Sequence, residues 1–212
     1  MSAELASTKT RPQSIVYIID DDRSVRESLE DLFACMSLRT RSFAAVQEFL
    51  GSKLDDVPTC LVLDVRMPGR SGMEFLESMS ELGLQLPTVV ITGHGDIAMG
   101  VKAMKDGAIE FLTKPFRDQD LLDAIHEGLE KDRLRRAKER DAADMRERWA
   151  ALTQGEREVA KQVAQGLLNK QIAADLHVSE ITVKVRRGNA MRKMGAKTLP
   201  DLIRLVDRLH SS

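Results

Sequence analysis

Three consecutive carboxylates, Asp20-Asp21-Asp22, follow the apolar run Ile15–Ile19, and a fourth, Asp64, follows the apolar run Cys60–Leu63. Two further runs of the same kind end in Thr92 and in Thr113-Lys114-Pro115. Carboxylates gathered at one place repel and raise one another's pKa unless a cation shares the site. Mg2+, a hard divalent ion that takes oxygen ligands and keeps several waters, meets that need. A carboxylate beside it can attack phosphorus and form an acyl phosphate, provided the incoming negative charge is neutralised. Lys114 supplies further positive charge, and the Thr92 hydroxyl a donor for a phosphoryl oxygen. An Asp triplet alone usually caps a helix or makes a turn, and a lone Lys-Pro is usually a loop. The weight rests on all four strand ends carrying compatible groups in order.

Those side chains meet only if the apolar runs are neighbouring strands. The runs Ile15–Ile19, Cys60–Leu63, Thr88–Ile91 and Ile109–Leu112, with a weaker one at Arg39–Phe43, alternate with amphipathic stretches. These are 24–36, 44–50, 72–82, 96–105 and one that starts at Asp118. Parallel strands need helical crossovers, so the pattern predicts an α/β doubly wound five-stranded parallel sheet covered on both faces. Ligand sites in such sheets lie at the carboxyl ends of the strands.

With its acidic groups in that order, the chain resembles the response-regulator receiver family over residues 14–128. The resemblance implies a flavodoxin-like fold and a Mg2+ cofactor. It makes Asp20 and Asp21 the acidic metal pair, Asp64 the phosphoryl acceptor, Thr92 the switch hydroxyl and Phe111 the switch aromatic. Lys114 becomes the lysine that precedes a cis-proline. The family also binds its metal through the backbone carbonyl two residues past the acceptor, here Arg66, where Asn or Asp is frequent. A backbone role tolerates Arg, whose side chain bears on how water reaches the phosphoryl group. An aspartyl-phosphate hydrolase of the haloacid dehalogenase type is the rival class. It needs a second Asp two residues past the nucleophile, where this chain has Arg66.

The net charge of −1 conceals an asymmetry. Residues 1–128 carry 13 Lys+Arg against 21 Asp+Glu, whereas residues 151–212 carry 11 against 6. A basic module is by itself a weak nucleic-acid signal. From Asp118 an apolar stripe of Leu121, Leu122, Ile125 and Leu129 marks a helix, and past Glu130 it fades. Charged residues and alanines then continue to Arg148 without Gly or Pro. This predicts a helical charged linker over 129–150, with a disordered charged linker as the competing expectation. Residues 1–13 are polar and read as a flexible N-terminus. No apolar run approaches the roughly 20 residues that span a bilayer. A cytoplasmic protein without a membrane partner is expected, and Cys35 and Cys60 read as buried thiols.

The region 151–212 is helical in pattern throughout. Thr153 with Glu156 forms a capping box, Gly166 ends that helix, 169–176 is a short second helix, and Ser179 caps a third that stops at Gly195. Thr198 caps a fourth, with Pro200 in its first turn. The tight His177-Val178 turn between the second and third predicts a helix-turn-helix in an all-α four-helix domain. On the third helix Val183, Ala190 and Met194 share a buried stripe. Ile181, Lys184, Val185, Gly188 and Arg192 face away, and Arg186 and Arg187 flank the stripe, so that their stems can pack while their heads reach outward. A recognition helix needs that arrangement, with base-reading groups outward and cations at the sides.

Leu152–Leu205 is similar to the LuxR/NarL-type DNA-binding domain, through Asn169-Lys170-Gln171-Ile172-Ala173 and Thr182-Val183-Lys184-Val185. The similarity implies that Lys184 and Val185 enter the major groove while Lys170 sits near the DNA backbone. Arg186, where His is frequent, and Gly188, where a larger polar residue is common, depart from it. Arg187 and Arg192 complete the expected DNA-contacting set. Both halves together, with the loop Gly93-His94-Gly95-Asp96, resemble the FixJ-type branch. That implies a transcription factor, an activator rather than an enzyme, whose own chemistry is Mg2+-dependent phosphorylation and dephosphorylation. The implied partners are a sensor histidine kinase, double-stranded promoter DNA, RNA polymerase and, once phosphorylated, a second copy in a homodimer. The alternative is an atypical receiver that acts only as a dimerisation module.

Overall fold

Alternation along the strands decides the architecture of the first half of the chain. The computed structural model describes residues 14–68, 71–93 and 95–210. The expected flexible segment 1–13 and His94 of the expected loop lie outside the described residues. Five strands, β1 (Ile15–Ile19), β2 (Arg39–Phe43), β3 (Thr59–Asp64), β4 (Thr88–Thr92) and β5 (Glu110–Thr113), form one sheet in the order β2-β1-β3-β4-β5. Every neighbouring pair is parallel. In β1 the residues Ile15, Tyr17 and Ile19 enter one core, while Val16 and Ile18 enter the other. Leu61 and Leu63 of β3 divide from Cys60 and Val62 in the same way. This two-sided burial is why both strands read as continuous apolar runs. β2 reads weakly because it is an edge strand, and Arg39 and Arg41 keep that edge polar.

The crossovers are α1 (Arg23–Cys35), α2 (Val46–Leu50), α3 (Gly72–Ser78) and α4 (Ile97–Lys105). Asp22, Ser71 and Asp96 cap α1, α3 and α4 with side-chain oxygens that accept amide hydrogens of the first turn. α1 turns Leu29 and Phe33 inward, which leaves Cys35 outward in its last turn. Cys60 is buried as expected, but the expected burial of Cys35 is corrected: the helical period places it on the solvent side.

α5 (Asp118–Ala150) is one continuous helix. By density of contacts the chain divides into a unit ending at Arg136 and a unit starting at Ala137. In the first unit α5 buries Leu121, Ile125 and Leu129 against β1, β3 and β4, and then Asp132, which is 0% exposed. Asp132 accepts from the Thr59 amide at 2.9 Å, from Arg135 at 2.6 Å and from Arg136 at 2.6 Å. Gly128 allows α5 this close, because a Cβ there would lie 2.5 Å from Cys60 Sγ and 2.8 Å from Ile109 Cδ1.

The second unit contains α6 (Gln154–Ala164), α7 (Asn169–Asp175), α8 (Glu180–Met194) and α9 (Leu199–His210). Its core joins Val159 and Val163 of α6, Ile172 of α7, Val183, Ala190 and Met194 of α8, and Leu202 and Val206 of α9. Trp149, near the end of α5, packs against the same cluster. Thr153 and Glu156 form a reciprocal capping box, and Ser179 accepts from the Thr182 amide at 3.1 Å. Thr198 and Asp201 exchange the same kind of bonds at the start of α9. Gly195 ends α8 with φ of 72°, the left-handed position that suits glycine.

Candidate functional site

The register fixes the first site. Ile19 pairs with Leu63, so Asp20 and Asp64 leave the sheet side by side at the carboxyl ends of β1 and β3. Lys114, just past β5, bridges them: its Nζ donates to Asp20 Oδ2 at 2.8 Å and to Asp64 Oδ1 at 3.0 Å. Asp20 and Asp64 are buried and Lys114 is half-buried. The Lys114-Pro115 bond is cis. Thr92, fully buried, ends β4 beside the Asp64–Ile91 pair, and its carbonyl accepts from the Lys114 amide at 2.7 Å.

Backbone donors hold both acids in place. The Asp22 amide donates to Asp20 Oδ1 at 2.9 Å, and the Arg66 amide donates to Asp64 Oδ2 at 2.7 Å. Burial pushes the Asp64 carboxyl above its ordinary pKa; the Lys114 ammonium pulls the other way, and the charge of Asp20 adds to the rise. For Lys114 burial favours loss of the proton, but the two carboxylates outweigh it and its pKa is raised. Asp21 and the Arg66 side chain are exposed.

Two residues absent from the sequence-based set help shape this pocket. Arg26 of α1 donates to the carbonyl oxygens of Asp20 at 2.7 Å and Asp21 at 3.0 Å, fixing the turn that aims both acids. Gly72 starts α3 directly against Asp64: a Cβ there would collide with the Asp64 carbonyl oxygen and lie 3.0 Å from its carbon. A Gly eight residues past Asp64 was the available signal for the second; the first had none beyond helical spacing. Phe111 is half-buried with its ring in a slot between glycines, since a Cβ on Gly95 would lie 2.9 Å from the ring and one on Gly100 3.2 Å.

No cluster of three or more His, Cys, Asp or Glu side chains poised around a metal occurs among the described residues. The donor chemistry still suits Mg2+. Three carboxylates and one ammonium leave a local charge of about −2, every candidate ligand is a hard oxygen, and each carboxylate oxygen has a second lone pair beyond its present bond. A groove of about 550 Å3 lined by Ser24, Ser28, Leu32, Lys114 and Phe116 opens beside this pocket.

The second site is α8. Val183, Ala190 and Met194 are buried, and Ile181, Lys184, Val185, Gly188 and Arg192 are exposed. Lys170 on α7 is exposed as well. Arg186 and Arg187 are half-buried, and the expectation that their heads reach outward is corrected: both heads are engaged within the unit. Arg187 Nη1 donates to Asn169 Oδ1 at 3.0 Å, tying α8 to the start of α7. The Arg186 guanidinium lies over Gly155 of α6, where a Cβ would meet it at 2.7 Å. Lys193 joins Glu156 at 2.7 Å and thereby ties α8 to α6. No described helix is long and apolar enough to cross a membrane.

Residues 16–126 match the response regulator receiver domain, and residues 150–206 match the luxR family of bacterial regulatory proteins. Nodulation protein W of Bradyrhizobium diazoefficiens is 47% identical over 202 residues, covering 95% of this chain and 89% of that protein. Transcriptional regulatory protein FixJ of Rhizobium meliloti is 42% identical over 191 residues, covering 90% of this chain and 94% of that protein. Among solved structures, response regulator StyR aligns with a TM-score of 0.86 at 42% identity, over 92% of this chain and 99% of that one.

Proposed function

The chain belongs to the two-component response regulators of the FixJ type, which join a receiver domain to a luxR-family DNA-binding domain, and from that membership we propose that Asp64 accepts a phosphoryl group and so controls promoter binding through α8. The observation that carries this reading is the Lys114 bridge between Asp20 and Asp64 at adjoining strand ends. Asp20, Asp21 and Asp64, with the Arg66 carbonyl, are the residues that would hold Mg2+. When bound, the ion supplies positive charge to the phosphoryl oxygens and to the carboxylates around them.

The remaining work falls to the protein's own groups. An Asp64 carboxylate oxygen forms the bond to phosphorus while the P–N bond of a kinase phosphohistidine breaks, and the electron pair leaves with the imidazole nitrogen. The groove beside Lys114 gives the donor an approach. Lys114 then has a phosphoryl oxygen to neutralise, and the Thr92 hydroxyl a hydrogen bond to donate. Reordering of Thr92 and Phe111 passes the change toward α4. The phosphorylated chain forms a homodimer whose two DNA-binding units meet two half-sites about one helical turn apart. The sensor histidine kinase, double-stranded promoter DNA and RNA polymerase are the partners in this reading, with transcription activated.

The test is incubation with acetyl phosphate, with and without Mg2+, followed by intact mass and gel filtration. The expected result is one phosphoryl group per chain, only with Mg2+, none on Asp64→Asn, and dimer formation on phosphorylation. Phosphoryl gain by Asp64→Asn removes the assignment of the acceptor. An unphosphorylated chain already dimeric favours a receiver used only as a dimerisation module, and a phosphorylated chain that stays monomeric removes the dimerisation step.

A further inference from the structure

The outward face of α8 is apolar along its centre. Ile181 is 76% exposed and Val185 57% exposed. At 100° per residue, Ile181, Val185 and Gly188 fall within about 60° of one another, opposite the buried stripe of Val183, Ala190 and Met194. Nothing inside the unit requires this face to be so. A β-branched residue is a mediocre helix former, and glycine in a helix interior is worse. A Cβ at Gly188 would meet nothing within 4 Å, so no neighbour excludes a larger residue there. Lys184 borders the stripe about 60° from Ile181, Arg192 continues its line one turn past Gly188, and both are exposed. An apolar ridge flanked by one cation and ended by another suits a polyanion that offers apolar groups among its charges. In the major groove the apolar feature that a base pair offers is the thymine 5-methyl group.

We propose that Ile181 is a specificity-determining residue that, with Val185, reads thymine methyl groups in the half-site, while Gly188 gives the clearance that lets this ridge reach the base edges. The proposal rests on the reading of α8 as the DNA-facing helix and adds what that helix selects. Lys184 beside the ridge and Arg192 at its far end serve the polar and phosphate contacts, and the ridge discriminates thymine from cytosine at the positions it covers.

The experiment uses the full-length chain, phosphorylated with acetyl phosphate and Mg2+. Duplexes selected from a randomised library give a preferred site. Each thymine of that site is then replaced singly by uracil, which removes the methyl group and leaves the base-pairing edge intact. Wild type should lose affinity about fourfold at one or two positions per half-site, the equivalent of one methylene-sized contact. Ile181→Ala should bind more weakly and ignore uracil at the position nearest α8's first turn, while Ile181→Val keeps most of the sensitivity. Lys184→Ala should bind more weakly yet remain sensitive to uracil. A preferred duplex indifferent to uracil at every position overturns the proposal and leaves the DNA reading standing. A library that yields no preferred duplex overturns both.

Discussion

Gly72→Ala tests whether Asp64, the proposed phosphoryl acceptor, is held by its backbone neighbours. The added methyl would collide with the Asp64 carbonyl oxygen and lie 3.0 Å from the Asp64 carbonyl carbon and 3.1 Å from Val65 Cα. Comfortable carbon contacts are about 3.5–4.0 Å, so even the two carbon contacts are about half an ångström short, and the oxygen contact is worse. All three partners are main-chain atoms at the end of a central strand, where the Val65 amide is bonded to the Ile91 carbonyl at 3.1 Å. They cannot swing aside as a side chain would. Either the start of α3 backs away, stretching the 3.0 Å bond from the Gly72 amide to the Val65 carbonyl, or Asp64 moves. Overpacking of this kind costs about 1–3 kcal/mol. Displacement of a reacting carboxylate by about 1 Å costs on the order of 100-fold in rate. Phosphorylation by acetyl phosphate at saturating Mg2+, followed by intact mass, should therefore slow by about two orders of magnitude while urea unfolding shifts by about 1–3 kcal/mol. A Gly72→Ala protein with the native rate and a shift below about 0.5 kcal/mol would refute the reasoning. A normal rate with lost stability would mean that α3 yields and Asp64 does not.

Three other expectations follow from burial and charge. Asp132→Ala strands the Thr59 amide and removes a carboxylate from Arg135 and Arg136; because Arg136 keeps its pairing with Asp56 and the two side chains keep 29% and 15% exposure, urea unfolding should show a loss of about 2–3 kcal/mol, and a loss below about 1 kcal/mol would contradict the anchoring role. Lys193, then the Thr153 amide, hold the Glu156 carboxyl below its ordinary pKa of 4.5. The stability this contributes is present above pH 4.5 and is lost as pH falls through the lower folded-state value, so Glu156→Gln should flatten the acid limb of unfolding, and an unchanged limb would exclude the pair as its source. Gly188→Ala should raise the melting temperature of the DNA-binding unit by about 4–8 °C, since it relieves about 1 kcal/mol of helix cost and meets no neighbour, while weakening specific DNA binding; a melting temperature that falls would mean the position is constrained from within.

The acidic pocket was legible in the sequence because a strand end is a fixed address. Once Ile15–Ile19 and Cys60–Leu63 are adjacent parallel strands, the residues that follow them converge without further information. The exposed face of α8 was legible for a similar reason, since the helical period turns Val183, Ala190 and Met194 inward and Lys184 and Val185 outward. Contacts made across the fold by residues of unsuited type were not legible. Asp132 reads as one surface charge among many, and an i,i+4 partner for Arg136 is visible; its burial depends on Thr59, 73 residues away. Arg187 reads as a hand for phosphate, and its bond to Asn169 depends on how α7 meets α8. Gly72 reads as the first residue of an amphipathic stretch until the Asp64 carbonyl is seen against it.

The chain has one tryptophan and one tyrosine. Trp149 packs on the core of the second unit, while Tyr17 lies fully buried in the first, its hydroxyl donating to Asp55 at 2.9 Å. The molecule thus carries a separate optical label in each half. Tryptophan emission reports the DNA-binding unit alone, and any change in it on incubation with acetyl phosphate and Mg2+ that Asp64→Asn abolishes measures communication from the other unit. Tyrosine absorbance follows the receiver core. Whether the two halves melt together or in turn is therefore readable from the unlabelled protein, with no residue replaced.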